Sequence, residues 1–223
     1  MTAVEKRRVA VLISGRGSNM EALYRACTMS DHPAEIIAVL SDRSDAAGLE
    51  FARSEGLVAT AVPRSGFSSK AEHEAAMLSA LDEARPDFVC LAGYMRLLSA
   101  DFVDRFSGRM INIHPSLLPL YPGLDTHQRA LDAGALVHGC SVHFVTAGMD
   151  EGPVLAQAVV PVLPTDDSST LAARVLKAEH RLYPHALRLL ASGAARMDKA
   201  GRVQLSGDIA SDGDALLISP GHA

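Results

Sequence analysis

The first ~110 residues alternate strictly between short apolar runs and helical stretches, a pattern that closes as a parallel sheet with right-handed crossovers and helices on both faces. Val9-Ala-Val-Leu-Ile13 is continuously apolar rather than alternating, as a strand buried on both sides must be. Ser14-Gly-Arg-Gly-Ser18 turns the chain into a helical stretch from Asn19 to Cys27. Glu35 to Asp42 reads as the second strand, and Ala46 to Glu55 as a helix stopped at Gly56. A third strand, Val58 to Val62, ends at Pro63, and a helix runs from Ser69 or Lys70 to Ala84. Phe88 to Ala92 is the fourth strand, followed by a short helix from Ser99 to Phe106 that Ser99 can cap. Met110-Ile-Asn-Ile-His114 is the fifth.

Beyond residue 120 the style changes. Leu124 to Ala133 reads as helix, and Gly139 to Thr146 and Val154 to Val162 as strands. The loop between those strands, Ala147-Gly-Met-Asp-Glu-Gly-Pro153, is too long for a tight hairpin. Ser168 to Leu190 is the longest helix, opened by Asp167 or Ser168, and Pro184 predicts a kink or break near Tyr183. The expected fold class is α/β: a Rossmann-like, open, mostly parallel twisted sheet with helices on both faces and an antiparallel C-terminal part. Residues 1–192 read as one domain and residues 193–223 as a polar tail. Arg196 to Leu205 of that tail could form a small hairpin around Lys199-Ala-Gly201, and the final residues look frayed.

Composition narrows the partners. The 223 residues are 48% hydrophobic with a formal charge of −5, which argues against nucleic acid or an anionic membrane. No apolar stretch approaches the ~18 residues of a membrane span, and Lys6-Arg7-Arg8 precedes a run too short for a signal peptide. A cytoplasmic protein is expected. Cys27, Cys90 and Cys140 are widely spaced in apolar surroundings and read as buried reduced thiols. The nine histidines show no metal-ligand spacing, so no metal is expected.

Two stretches carry chemistry. The glycine turn begins as GxG where a dinucleotide fingerprint would sit, but Met20 stands where its third glycine belongs. With Asp42 at the end of the second strand, a nicotinamide dinucleotide enzyme is the runner-up reading. Independently of that fingerprint, the backbone N–H groups of Gly17, Ser18 and Asn19 at a helix start form a phosphate-sized anion site. The bland alternative is a tight turn with Ser18 as N-cap. The second stretch is Asn112-Ile-His114-Pro-Ser-Leu-Leu-Pro119. Side chains two apart in a strand share a face, so an amide donor and a titratable imidazole project together. That pair suits an oxyanion that develops next to a proton transfer. A strand-end histidine held by a carbonyl, with an asparagine opening the turn, fits the same residues. Leu118–Pro119 is a candidate cis bond in the turn that follows.

With these stretches and the Asp150 loop in one order, the chain resembles the phosphoribosylglycinamide formyltransferases of the folate-dependent formyltransferase superfamily. The resemblance runs from about Val9 to Leu190. It includes Leu91-Ala-Gly-Tyr-Met-Arg-Leu-Leu98, Tyr121-Pro-Gly-Leu124, Ser141-Val-His-Phe-Val-Thr146, Asp150-Glu-Gly-Pro153 and Glu179-His180. It implies catalytic roles for Asn112, His114 and Asp150. It implies ribonucleotide binding by Gly17, Ser18, Asn19 and Glu179, with Lys177 a candidate for the phosphate. It implies a folate site made of Lys70, Met95, Arg96, Leu97, Leu98, Asn112 and the loop Thr146, Ala147, Gly148, Met149, Asp150. Lys70 stands where the family often has Arg, keeping the charge but losing the fork, and Asp125 stands where it often has His.

The implied reaction transfers the formyl group of 10-formyltetrahydrofolate directly to the amine of the glycinamide ribonucleotide, with Asp150 favouring the imidazolium form of His114. The implied partners are small molecules, and a homodimer is open. A methionyl-tRNA formyltransferase is expected to add an RNA-binding domain, and a formyltetrahydrofolate hydrolase an N-terminal regulatory one. A non-catalytic phosphoribosyl or folate sensor would have no use for Asn112, His114 and Asp150 as a set.

Overall fold

In the computed structural model, which describes residues 6–206, the alternation becomes one seven-stranded sheet in the order β3-β2-β1-β4-β5-β6-β7. Its strands are β1 (Arg7–Ile13), β2 (Ala34–Ser41), β3 (Val58–Ala61), β4 (Phe88–Leu91), β5 (Met110–His114), β6 (Val137–Phe144) and β7 (Val154–Pro161). The helices are α1 (Ser18–Cys27), α2 (Ala47–Ser54), α3 (Lys70–Ala84), α4 (Ala100–Arg105), α5 (Thr126–Asp132) and α6 (Ser168–Ala191). Strands β1 to β5 pair in parallel, whereas β6 runs antiparallel to both β5 and β7. A separate hairpin, β8 (Ala195–Met197) with β9 (Val203–Leu205), follows α6. The expected fraying of the final residues concerns positions outside the described range.

The central strand shows why its apolar run is unbroken. Val9, Val11 and Ile13 face one core cluster with α1, α2 and α6, while Ala10 and Leu12 face the other with α3 and α4. All five are fully buried. Each larger one contributes roughly 1.5–3 kcal/mol on leaving water. Local signals set the helix starts: Ser69 accepts from Glu72 N, Ser99 from Phe102 N, and Asp167 closes a capping box with Thr170.

The break expected near Tyr183 is absent: α6 continues as helix through Pro184. Leu182, Tyr183, Ala186, Leu187 and Leu190 are buried along it. The Tyr183 hydroxyl is shared between the Leu91 and Ile111 carbonyls, 3.0 and 3.1 Å away. Tertiary packing on both sides of the proline outweighs the single N–H it removes. The Leu118–Pro119 bond is cis. The three cysteines are free and buried, and burial pushes the Cys27 and Cys140 thiols up to about 12. Among the described residues no helix is long and apolar enough to cross a membrane.

Strand β6 also carries His138, 1% exposed, with the rings of His127 and Tyr121 set edge-on against it. Burial first, then the neighbouring His127, lowers its pKa to about 4, against a bond to Pro115 that pulls the other way. In the unfolded chain the ring titrates near ~6.5. Above that pH the group is neutral in both states; as pH falls towards 4 only the unfolded chain binds the proton, so folding stability is lost. The unfolding midpoint of the wild type is expected to drop between about pH 7 and 4, and that of His138→Gln to drop less. Equal slopes in thermal melts of the two proteins would contradict this.

Candidate active site

Asn112 and His114 lie on β5 one strand repeat apart, and the residue paired with Asn112 across β6 is His143. His143 is 2% exposed. Its Nδ1 lies 3.0 Å from the Phe144 carbonyl, which can only accept, so Nδ1 carries the hydrogen. Burial lowers the His143 pKa, against the opposing pull of the Phe144 bond and Asp150, and so favours the neutral ring. The Nε2 lone pair is then left to accept from Asn112 Nδ2 at 3.2 Å. That bond fixes which way the Asn112 amide points and leaves its second N–H uncommitted.

His114 is held from both sides. Its Nε2 donates to the Tyr121 carbonyl at 3.0 Å, and its Nδ1 lies 3.2 Å from Asp150 Oδ2. Two oxygen acceptors on two ring nitrogens are both satisfied only by the imidazolium. Asp150 Oδ2 also accepts from Gly123 N at 2.8 Å, and its Oδ1 is 3.7 Å from His143 Nε2. The His114 and Asp150 side chains are only 7% and 12% exposed. Tyr121, Asp125 and Asp150 have φ values of 54°, 57° and 57°, left-handed backbone at three non-glycine residues, two of which bond to or contact His114.

The route that brings Asp150 here is set by the direction of β6. Because β6 is antiparallel, Phe144 ends opposite Ile111, near the start of β5. The loop therefore folds back along the sheet to reach His114, with Val145 N bonded to Met110 O.

At the glycine loop, Gly17 rather than Ser18 occupies the N-cap position, at φ 78°, and no side chain caps the helix. Ser18 is the first residue of α1, so the bland N-cap reading fails and the leading amides have no side-chain acceptor. A Cβ on Gly17 would sit 3.1 Å from the Cα of Gly48, and one on Gly48 would sit 2.5 Å from Ile13 Cδ1. Gly17 and Gly48 let the glycine loop and the start of α2 approach closely, a pairing no sequence spacing reveals. Asn19 Nδ2 donates to Glu179 Oε2 at 2.7 Å, and burial raises the Glu179 pKa against that bond. Lys177 is not brought to this loop: it lines a groove with Ala158, Arg174 and Arg181 on the β7 side of α6. Two residues along a helix turn a side chain by roughly 200°, so Glu179 and Lys177 face different ways.

The stretch Met95 to Leu98 follows β4 and is fastened by Met95 N to Ser14 Oγ at 2.9 Å. Met95 and Leu97 are largely exposed, as is Met149 in the Thr146–Asp150 loop. A cavity of about 260 Å³ beside Asp150 is lined by Leu118, Pro119, Pro122, Glu151, Gly152 and Val154. Arg96 Nε donates to Asp42 Oδ2 at 2.6 Å and Oδ1 is buried, so neither oxygen is open to a ribose as the dinucleotide reading requires. Lys70 Nζ lies 3.6 Å from Glu74, whose carboxylate also accepts from Ser99 N and Oγ next to Leu98.

Residues 7–187 match the formyl transferase family. The chain is 45% identical over 189 residues to the Escherichia coli phosphoribosylglycinamide formyltransferase, covering 85% of this chain and 89% of that protein. It is 46% identical to part of the Drosophila pseudoobscura trifunctional purine biosynthetic protein adenosine-3, of whose length it spans only 14%. The crystal structure of the Brucella melitensis phosphoribosylglycinamide formyltransferase superposes with a TM-score of 0.82 at 59% identity, covering 85% of this chain and 97% of that one. The Symbiobacterium toebii glycinamide ribonucleotide transformylase 1 gives a TM-score of 0.86 at 45% identity, covering 90% and 94%. Matching over most of its length in sequence and in fold, the chain belongs to the formyl transferase family.

Proposed function

We propose that this chain transfers the formyl group of 10-formyltetrahydrofolate to the amine of 5'-phosphoribosylglycinamide. The observation that carries the reading is the contact of the His114 imidazole with the Asp150 carboxylate, on the strand that also presents the Asn112 amide held by His143; the uncapped start of α1 adds a separate anion site. The names of the Escherichia coli and Brucella melitensis relatives support the choice of acceptor.

In this reading the leading amides at Gly17, Ser18 and Asn19 take the phosphate, and Glu179 with Asn19 meets the ribose side. Lys177 falls outside that subsite. The stretch Met95 to Leu98, Lys70, and the loop from Thr146 to Asp150 hold the folate. The amine nitrogen attacks the formyl carbon, and the carbonyl oxygen becomes an oxyanion. The free N–H of Asn112 stabilises that charge, joined by the His114 Nε2–H once it turns from the Tyr121 carbonyl to the oxyanion. The attacking nitrogen loses a proton, the folate N10 gains one with help from His114, and the C–N10 bond breaks as the carbonyl reforms. Asp150 holds the His114 ring and favours its charged form, which passes its proton to N10 and is restored by the proton released from the attacking nitrogen. His143 contacts no substrate; it orients Asn112.

The direct test is formyl transfer from 10-formyltetrahydrofolate to glycinamide ribonucleotide, with formate release followed in parallel. Transfer is expected to dominate, and formate release without transfer would replace this reading with hydrolysis. In His114→Asn and in Asp150→Asn, kcat is expected to fall by about 10²–10⁴ with both KM values nearly held. Turnover within a few-fold of wild type in either would remove the assigned role. His143→Gln is expected to lower kcat by about 10–10²-fold, because a misaimed Asn112 loses the oxyanion. A KM effect with kcat intact would show that His143 acts on binding instead.

A further inference from the structure

Asp42 ends the buried run of β2 and is 4% exposed. Its neighbour in the sheet is β1, and Arg96 comes from the stretch after β4, on the far side of β1. The Arg96 side chain therefore crosses the carboxyl end of β1 to reach Asp42, in the region where Ser14 also fastens Met95. The contact is one-sided. Nε meets Oδ2 at 2.6 Å, while Asp42 Oδ1 is buried with no partner. Among the described residues the two outer nitrogens of Arg96 have no other bond, and its side chain is 46% exposed.

An arginine and a carboxylate left to themselves form two parallel bonds, which would satisfy Oδ1 and use an outer nitrogen. Here the carboxylate is held in the sheet edge and grips only the inner N–H. The guanidinium plane is fixed and its outer fork is kept open. Burial of an unsatisfied acceptor is unfavourable, so this arrangement costs stability that a two-bond pair would not.

Resting on the folate reading of Met95 to Leu98, we propose that Asp42 is a positioning residue. It holds Arg96 by Nε so that the outer nitrogens receive a carboxylate of the glutamate tail of the formyl donor. The other cation of that site, Lys70, is a point charge shared with Glu74 and offers no fork. Tail recognition by geometry thus depends on Arg96, and the aim of Arg96 depends on Asp42.

The test compares two donors, 10-formyltetrahydrofolate and 10-formyltetrahydropteroate, which lacks the glutamate. Asp42→Asn keeps the shape and removes the charge. For the glutamate-bearing donor its KM is expected to rise about tenfold, the loss of one oriented charge-assisted contact, with kcat and the ribonucleotide KM within twofold. For the tail-less donor, wild type and variant are expected to share one KM. Arg96→Lys should give the same donor-dependent penalty, and the double variant no more. An equal KM rise for both donors, a fall in kcat, or an unchanged KM for the glutamate-bearing donor would overturn the proposal. If Asp42→Asn does not fold, Asp42→Glu decides: it keeps the charge but displaces it, so the KM for the glutamate-bearing donor alone should rise, and an unchanged KM would overturn the proposal. A wild-type protein that transfers no formyl group would instead overturn the functional reading, and this one with it.

Discussion

The convergence of Asn112, His114 and Asp150 depends on how closely the chain after β6 can return to its own strand. A Cβ on Gly152 would lie 1.7 Å from the Phe144 carbonyl oxygen, so no other residue fits there with this backbone. Phe144 N bonds Pro153 O across the same contact, closing the loop at its base. Gly152 thus acts by being small rather than by being flexible. With the base pinned, Asp150 arrives over β5 in left-handed backbone, a conformation that costs about 1–3 kcal/mol. Hydrogen bonds to a charged group contribute about 1.5–3 kcal/mol each, and the Gly123 N–H and His114 both meet the same carboxylate oxygen. The two effects are of similar size, so the strain is sustained by the contacts that define the site.

The rest of the cleft is tied to the sheet by single long-range bonds. Tyr183 links α6 to the carbonyls of β4 and β5, and Glu179, one turn earlier, reaches Asn19 on α1. Ser14 holds Met95, and Asp42 holds Arg96, over the end of β1. Helix α6, the glycine loop and the stretch after β4 are therefore located relative to one another by side chains whose partners lie 54 to 160 residues away. Each of these bonds spans from the sheet to an element that lines the cleft, or joins two such elements.

What could be read from sequence follows from what is local. Apolar runs such as Val9 to Ile13 announced buried parallel strands, and Ser69, Ser99 and Asp167 marked helix starts through their own first turns. The shared face of Asn112 and His114 follows from strand geometry alone. His143 carried no such sign: its importance is a register, opposite Asn112, and a tautomer set by Phe144. Gly48 was invisible for the same reason, since its partner Gly17 is distant in sequence. Pro184 does not break α6, although an isolated helix would break there, because packing around Tyr183 decides otherwise. The path of the Asp150 loop could not be read from its own residues, because it follows from the direction of β6 against β5.

The central claim is that His114 and Asp150 act as one unit, and a double-mutant cycle on kcat measures that most directly. His114→Asn, Asp150→Asn and the double variant would be compared with wild type for formyl transfer at saturating donor and acceptor. If Asp150 works only through His114, the double variant loses no more than His114→Asn alone, and the coupling energy accounts for nearly all of the Asp150 effect. Losses that multiply would show two independent contributions and would contradict a single His114–Asp150 unit.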